Sequence, residues 1–198
     1  MVAADCTGHG VPGAFMSILG INLLNEIVNN LENPGAGEIL NELREQTIKA
    51  LGQTGQRDEA KEGMEMALCV VDFKEGVIQF SGAFQPLYLI SGGDLSVIPG
   101  DRMPIGLYGE EQAPFSNKEV AFRENDMIYL LTDGYVDQIG GLDRKTFKTI
   151  RLKKLLKDIW QRPLQEQQSI LREEHEIWRS GSEQIDDIMV LGVRLSFK

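Results

Sequence analysis

Three places in the sequence put an aspartate at the end or the start of a short apolar run, where a carboxylate could bind a cation. At the first, Asp5 ends the run Val2-Ala3-Ala4 and precedes the glycine-rich turn Cys6-Thr7-Gly8-His9-Gly10. Backbone groups in such a turn can approach a cation or a phosphate closely, and the N-terminus of the following helix carries positive potential. The alternative is a tight turn in which Asp5 only caps that helix. The local sequence leaves both interpretations open.

The other two aspartate sites flank strand-like runs in the C-terminal half. Met127–Leu131 is strand-like and is followed by Thr132 and then Asp133. The pair Asp186-Asp187 comes directly before the run that begins at Ile188. Taken alone, each of these aspartates is more typical of a turn than of a ligand. Strand ends and strand starts alternate along the edge of an antiparallel sheet, so the three sites could converge at one sheet edge.

The available ligand types favour a hard cation over zinc. Carboxylates without a matching set of His and Cys residues select Mg²⁺ or Mn²⁺. Cys6 and His9 have a suggestive spacing, but Cys69 and His175 are the only other residues of these types. A closed four-ligand zinc site is therefore not expected. His9 could act as a general acid near a reacting phosphate, although a histidine in a turn is the commoner case.

Composition and charge exclude several classes of function. The formal net charge of −10 argues against binding to nucleic acid, whose phosphates attract basic surfaces. The two cysteines make no disulfide framework, which fits a reducing cytoplasm. No uninterrupted apolar run approaches the ~20 residues that span a bilayer. We therefore expect a cytoplasmic domain without membrane contact. The basic stretch at 144–154 is typical of a solvated helix face, with an acidic or phosphorylated partner as the alternative.

Hydrophobic periodicity predicts helices on both sides of a block of strands. Apolar residues at helical spacing predict helices at 12–31, 36–51, 146–160 and 164–178. Short apolar or alternating runs predict strands at 64–73, 77–81, 87–91, 95–98, 119–122, 127–132 and 188–195. The polar segment 53–62 is predicted to be a loop. This order favours α+β layers with antiparallel strands over a parallel βαβ sheet.

Several motifs resemble those of bacterial SpoIIE-type phosphatases in the PP2C superfamily, and they occur in the family's order. The first, Asp5–Ser17 (DCTGHGVPGAFMS), is long and specific. The others are shorter: Ser81-Gly82-Ala83 with Pro86–Leu89, Met103–Gly106, Tyr129–Gly134 and Asp186-Asp187-Ile188. Together the motifs span almost the whole chain.

The resemblance implies a fold and a reaction. The fold is an α-β-β-α sandwich, in which two antiparallel sheets are flanked by helices. The site is a binuclear Mn²⁺ or Mg²⁺ centre whose activated water attacks the phosphorus of phosphoserine or phosphothreonine in line.

The resemblance also implies roles for individual residues. By motif, Asp5 bridges the two metals beside the backbone carbonyl of Cys6. Asp133 and Asp186 hold one metal, and Asp187 is the reserve choice for Asp186. Asp5 and Asp133 are thus expected to be catalytic. His9 resembles the histidine after the family's metal-binding aspartate, which implies a role as leaving-group acid.

We interpret residues 1–198 as a single phosphatase domain that begins after the family's first strands. Its opening residues resemble the tail of a buried strand, and the family carries a further metal-binding aspartate upstream of that strand. Such truncation would weaken the metal site and leave a sheet edge unpaired, which predicts a homodimer. The expected partners are a phosphorylated protein substrate, such as an anti-anti-sigma factor, and an upstream sensor or response-regulator region. A catalytically silent module that binds a phosphoprotein is the alternative.

Overall fold

A computed structural model of the chain describes residues 1–8, 10–55, 62–109 and 112–197. His9 and most of the predicted loop at 53–62 lie outside these ranges. The chain divides into two compact units. The first comprises Met1–Leu87 with Pro99–Phe122, and the second comprises Tyr88–Ile98 with Arg123–Lys198. The interpretation of the chain as a single domain stays a prediction.

The elements are introduced here in chain order. The chain begins with strand β1 and two long helices: β1 (Val2–Cys6), α1 (Val11–Asn30) and α2 (Ala36–Leu51). A block of strands follows: β2 (Met64–Asp72), β3 (Val77–Ala83), β4 (Leu87–Ser91), β5 (Asp94–Ile98), β6 (Lys118–Ala121) and β7 (Met127–Leu131). A short helix and a short hairpin come next: α3 (Gly134–Asp137), β8 (Ile139–Gly140) and β9 (Lys145–Thr146). The last elements are α4 (Thr149–Ile159), α5 (Leu164–Arg179) and β10 (Val190–Arg194).

The first unit is an antiparallel sheet in the order β1-β2-β3-β6, packed against α1 and α2. Met64, Met66 and Leu68 lie on one face of β2 because side chains alternate along a strand. They share a buried cluster with Met16 of α1 and Leu40 of α2. Each buried side chain of this size contributes about 1.5–3 kcal/mol to stability. This cluster therefore holds the two helices on the sheet.

Helix α1 has one buried side and one exposed apolar side. Gly13, Met16, Gly20 and Ile27 are buried. A Cβ at Gly20 would lie 2.6 Å from the Met64 sulfur, so glycine permits this close packing. The opposite side exposes Phe15, Ile18 and Ile21. By length and composition alone, α1 is long and apolar enough to cross a membrane. A single helix of this kind is weak evidence for a membrane span, because signal sequences and buried core helices share these properties.

The second unit is an antiparallel sheet in the order β10-β7-β4-β5, with α4 and α5 packed against it. Every residue of β7 is buried, whereas every residue of β10, at the sheet edge, is half-buried. The Tyr129 hydroxyl of β7 donates to Gln167 Oε1 of α5 at 2.7 Å. Gln167 Nε2 in turn donates to the carbonyls of Trp160 and Arg162. Buried polar groups need such partners, and this set ties β7 to α5.

The predicted elements agree with the structure in type and order, with one correction. The helix predicted from residue 146 begins only at Thr149, because Lys145 and Thr146 form β9 and pair with β8. The hairpin and the short helix α3 have no clear signal in the hydrophobic pattern. The predicted α+β class with two antiparallel sheets and flanking helices is confirmed.

Candidate metal centre

Asp133 stands where the buried strand β7 ends. It is half-buried and occupies the N-cap position of α3, but its side chain makes no capping hydrogen bond. Its backbone carbonyl accepts the N–H groups of Val136 and Asp137 at 2.9 and 3.0 Å. The strand on one side and the helical turn on the other therefore fix the backbone of Asp133, while its carboxylate is not used as a cap.

Asp186 lies in the turn before β10. Because β10 and β7 are antiparallel, with Val190 opposite Leu131, the start of β10 lies beside the end of β7. Carboxylate oxygens of Asp133 and Asp186 come within 4.8 Å of one another. Asp186 is exposed, and its Oδ1 accepts the backbone N–H of Asp187 at 2.8 Å. The structure thus brings together these two predicted residues by the alternation of strand ends.

The neighbours of Asp133 hold the turn that carries Asp186. Thr132 Oγ1 donates to the Asp187 carbonyl and accepts the Met189 N–H, both at 3.0 Å. A Cβ at Gly134 would lie 2.4 Å from the Asp187 carbonyl oxygen, so only glycine allows the close approach. The Thr-Asp-Gly motif therefore supplies one carboxylate and positions a second. The roles of Thr132 and Gly134 are not predicted from the sequence, where the only signal is a hydroxyl residue and a glycine on either side of Asp133.

Electrostatics at this pair favour a bound cation. Burial raises the pKa of Asp133, and the nearby carboxylates of Asp186 and then Asp137 raise it further, against weaker opposition from the N–H groups of Asp133 and Gly134. A divalent cation between the carboxylates would replace this repulsion by attraction. The donor set consists of carboxylate oxygens, which suits Mg²⁺ or Mn²⁺ rather than zinc. The residues present therefore fit the metal that the sequence analysis predicts.

Asp5 belongs to the first unit, at the end of β1. The three aspartates do not share the edge of a single sheet, because β1 lies in a different sheet from β7 and β10. Asp5 does not cap α1 either, since the N-cap residue is Gly10 and no side chain caps that helix. Directly opposite Asp5 in the β1–β2 ladder is Glu65, whose carboxylate accepts Gln85 Nε2 at 2.7 Å. Residues directly opposite in an antiparallel ladder share a face of the sheet, so Asp5 and Glu65 lie side by side.

The remaining predicted residues have less defined positions. Cys6 is half-buried in β1, where its sulfur accepts the Ser17 hydroxyl at 3.6 Å and burial raises the pKa of its thiol. Metal binding by its backbone carbonyl stays a prediction. Asp187 contributes a backbone carbonyl to Thr132, whereas its neighbour Asp186 provides the carboxylate next to Asp133. His9 lies outside the described residues, so its predicted role as an acid stays a prediction.

Solved structures with the same fold define the class of protein. The SiaA-PP2C domain of Pseudomonas aeruginosa matches with a TM-score of 0.88 and 28% identity, over 98% of this chain and 75% of that one. The PP2C phosphatase domain of SpoIIE from Bacillus subtilis, solved with a fragment of its regulatory domain, matches with a TM-score of 0.75 and 20% identity, over 98% and 52%. The RsbU and RsbW domains of Rv1364c from Mycobacterium tuberculosis match with a TM-score of 0.70 and 20% identity, over 98% and 51%. The fold is that of the PP2C-type serine/threonine phosphatase domains.

The family follows from the sequence itself. The model of the family described as Stage II sporulation protein E (SpoIIE) matches residues 1–196. The chain therefore belongs to the SpoIIE family, and the predicted resemblance is confirmed. It spans about half the length of two of the three structures compared. No curated protein gave a match.

Proposed function

We propose that the domain is a metal-dependent protein phosphatase that hydrolyses phosphoserine or phosphothreonine on a bacterial regulatory protein, such as an anti-anti-sigma factor. The observation that supports this most directly is the Asp133–Asp186 pair, held at the end of a buried strand in a chain of the PP2C type. Family membership supports the reaction class, and the carboxylate pair supports the metal requirement.

The chain's own residues divide the work of the proposed site. Asp133 and Asp186 would hold a divalent cation, with Asp5 as a further ligand by its family motif. A bound Mn²⁺ or Mg²⁺ supplies charge neutralisation for phosphate oxygens and a water of lowered pKa. Thr132 keeps the turn of Asp186 against the end of β7, which holds the two carboxylates in a fixed arrangement.

The partners are proposed from the same resemblance. We expect the domain to act in the cytoplasm on a phosphorylated protein, under the control of a sensor or response-regulator region. The Bacillus subtilis structure, which contains a fragment of a regulatory domain beside its phosphatase domain, supports that arrangement by analogy. A homodimer is also proposed, and light scattering at micromolar concentration would test it by the mass observed.

Hydrolysis of a phosphoserine peptide tests the proposed function. We expect phosphate release that requires Mn²⁺ or Mg²⁺ and stops on chelation. Asp133→Asn should reduce kcat/KM at least ~100-fold, because even residues that only orient metal ligands are worth about 10–100-fold. Asp94→Asn, at an exposed aspartate of the same unit, is the matched control and should retain full activity. Binding of the phosphopeptide without turnover by the metal-loaded protein would instead identify a silent binding module.

A further inference from the structure

A continuous basic segment, residues 144–157, runs from the β8–β9 hairpin along α4. It contains no acidic residue and holds seven of the 20 Lys and Arg residues, in a chain with a formal net charge of −10. Its exposed basic side chains are those of Arg144, Lys145, Lys148, Arg151, Lys154 and Lys157. Among the residues that the structure describes, only Lys145 of this segment forms an ion pair, with the exposed Asp143. The other basic side chains of the segment therefore form no ion pair among the described residues, although the exposed Asp143 and Asp158 flank the segment.

The basic segment is anchored to the candidate metal centre by backbone hydrogen bonds. The Lys148 N–H donates to the Val136 carbonyl of α3 at 2.8 Å. The Val136 N–H donates in turn to the Asp133 carbonyl at 2.9 Å. One short helix thus separates the start of α4 from the aspartate that ends β7. The start of the basic segment is therefore tied through the backbone of α3 to the aspartate that ends β7.

Arg151 is held in a binding-ready orientation by an aromatic ring. Its guanidinium lies 4.2 Å from the centroid of the Trp178 ring. The Trp178 indole N–H donates to the Gln138 carbonyl at 3.0 Å, and Phe147 packs edge-on against the same ring. A guanidinium stacked on a ring keeps its in-plane N–H donors available, and their fork matches a carboxylate or a phosphate. Arg151 therefore needs little reordering to bind an anion.

Local physical chemistry disfavours basic residues at the start of α4. Lys148, the N-cap residue, has φ 72° and ψ 143°, a conformation suited to glycine rather than to a residue with a side chain. The first turn contains no acidic residue and includes Arg151, so cations stand at the positive end of the helix dipole. Sequences break local rules of this kind mostly at functional sites. A bound anion would offset the electrostatic part of this cost.

We propose that the basic segment is the docking surface for an acidic stretch of the phosphoprotein substrate, adjacent in sequence to the phosphorylated residue. The inference rests on the proposed function and adds the charge pattern of the substrate to it. Helix α4, at 11 residues, is about 16 Å long. An extended peptide rises ~3.3 Å per residue, so the acidic residues should lie within about five positions of the phosphoserine.

An anionic membrane is the less favoured partner. Helices that bind membrane surfaces bury an apolar face in the lipid. In α4 the apolar residues Leu152, Leu156 and Ile159 are buried within the second unit, which leaves Ile150 as its large exposed apolar residue. The helix therefore offers charge but little to insert. Nucleic acid is disfavoured by the net charge of −10.

Two phosphoserine peptides of equal length test the docking surface, one with glutamates and one with glutamines around the phosphoserine. With Mn²⁺ and low salt, the 198-residue chain should hydrolyse the glutamate peptide with about tenfold higher kcat/KM, since a few exposed ion pairs add up to an effect of this size. Arg151→Glu should remove the preference, and high salt should reduce it. Lys74→Glu, at an exposed turn of the first unit, is the matched control and should keep it. Equal hydrolysis of both peptides at low salt would overturn the proposal.

Lys148→Gly separates docking from a structural role. Glycine accepts the positive φ of this position without strain, and the relief of that strain outweighs the entropy that glycine adds to the unfolded chain, so the variant should unfold at a higher temperature than the parent. The same variant should lose part of its preference for the glutamate peptide, by about two- to threefold. If Lys148→Gly raised the unfolding temperature but left the preference for the glutamate peptide unchanged, Lys148 would have a structural role only, and that result would count against docking.

A binding measurement distinguishes this inference from the proposed function. Fluorescence anisotropy with an unphosphorylated glutamate-rich peptide should show salt-sensitive binding that Arg151→Glu weakens. If this binding occurs but no peptide is hydrolysed with any divalent cation, the docking surface stands and the proposed function fails. If hydrolysis occurs without charge preference, the function stands and the docking surface fails. If Arg151→Glu abolished binding to phosphatidylserine vesicles but kept the preference for the glutamate peptide, the surface would bind membranes instead.

Discussion

Asp133 and Asp186 present carboxylates to the same place from strands of opposite character. Strand β7 lies inside its sheet, and every one of its residues is buried. Strand β10 forms the edge of the sheet, and every one of its residues is half-buried. Asp133 is therefore fixed by the strand that carries it. Asp186 precedes a more exposed strand and needs contacts from elsewhere.

Gln184 Nε2 donates to the Asp186 carbonyl at 2.8 Å, and the β7 side holds the residues that follow Asp186. Thr132, directly before Asp133, binds both the Asp187 carbonyl and the Met189 N–H through one hydroxyl. Gly134, directly after Asp133, leaves room for the same carbonyl. The buried strand thus places its own aspartate and also the aspartate of the edge strand. Changes at Asp133 should consequently affect the metal site most, changes at Asp186 less, and changes at Thr132 less again.

The largest effect is expected for Asp133→Asn. The neutral side chain should abolish most of the rise in melting temperature that Mn²⁺ gives the parent protein. Without metal, the same variant should be more stable than the parent at neutral pH. The reason is that the raised pKa of Asp133 makes its ionised form a cost to the folded state. This cost is absent below the unfolded pKa of about 3.9 and grows as the pH rises through the folded value.

Thermal unfolding with and without Mn²⁺, at neutral and acidic pH, measures both parts of this prediction. Asp94→Asn serves as the control for loss of a negative charge at an exposed position in the same unit. A parent protein that Mn²⁺ does not stabilise would contradict the assignment of Asp133 as a ligand.

Asp186→Asn should come next, and Asp187→Asn should have little effect. Of these two neighbours, Asp186 places its carboxylate within 4.8 Å of that of Asp133, whereas Asp187 contributes its backbone. We expect Asp186→Asn to weaken Mn²⁺ binding by about 10–100-fold, less than Asp133→Asn because the edge strand has more freedom to adjust. Titration of the melting temperature with Mn²⁺ gives both affinities. If Asp186→Asn and Asp187→Asn weakened Mn²⁺ binding equally, both neighbours would contribute to the metal site, and the preference for Asp186 as the ligand would be wrong.

The sequence predicts best those elements whose signals are local. Helix α2 occupies Ala36–Leu51, as the periodicity predicts, because the breaker Asn33-Pro34-Gly35 precedes it and Gly52 ends it in the left-handed conformation. Helix α4 is predicted too long, because the pairing of β9 with β8 competes with a local helical pattern. Strand pairing depends on residues distant in the chain, and no local signal reports it.

The site shows the same limit. Aspartates at strand ends are visible in the sequence, but the sheet to which each strand belongs is not, and β1 lies in a different sheet from β7 and β10. The choice between Asp186 and Asp187 depends on a hydrogen bond from Thr132, 55 residues away in the chain. Family order supplied the candidates, and the tertiary contact distinguishes the two neighbours.

Thr132→Val tests whether β7 positions the edge strand. Valine has nearly the same shape but can neither donate to the Asp187 carbonyl nor accept the Met189 N–H. We expect stability to fall by about 1–3 kcal/mol from the groups left without partners. Mn²⁺ affinity should fall by about tenfold, because residues that orient metal ligands contribute on that scale.

Thr47→Val is the matched control for Thr132→Val. Thr47 is also buried, but its hydroxyl has no hydrogen-bond partner among the described residues. Its replacement should leave the Mn²⁺ affinity unchanged and the stability equal or higher. If Thr132→Val lowered stability without changing Mn²⁺ affinity, the hydroxyl would support the fold alone, and the edge strand would hold Asp186 unaided.

The smallest expected effect is on the pH dependence of the stability of the second unit, through His175. His175 of α5 is 6% exposed, and its ring packs against Tyr135 of α3 with centroids 5.0 Å apart. Burial lowers the pKa of His175, so the folded state favours the neutral ring. Its contribution to stability is present above the unfolded pKa of about 6.5 and is lost as the pH falls towards the folded value. For a single group the slope cannot exceed about 1.4 kcal/mol per pH unit.

His175→Phe should flatten this part of the urea-unfolding profile between neutral and mildly acidic pH, while the slope caused by Asp133 at lower pH should remain. If the parent and the variant lost stability in parallel below neutral pH, the acid sensitivity would lie in other groups, and α5 would not set the pH limit of the buried strand.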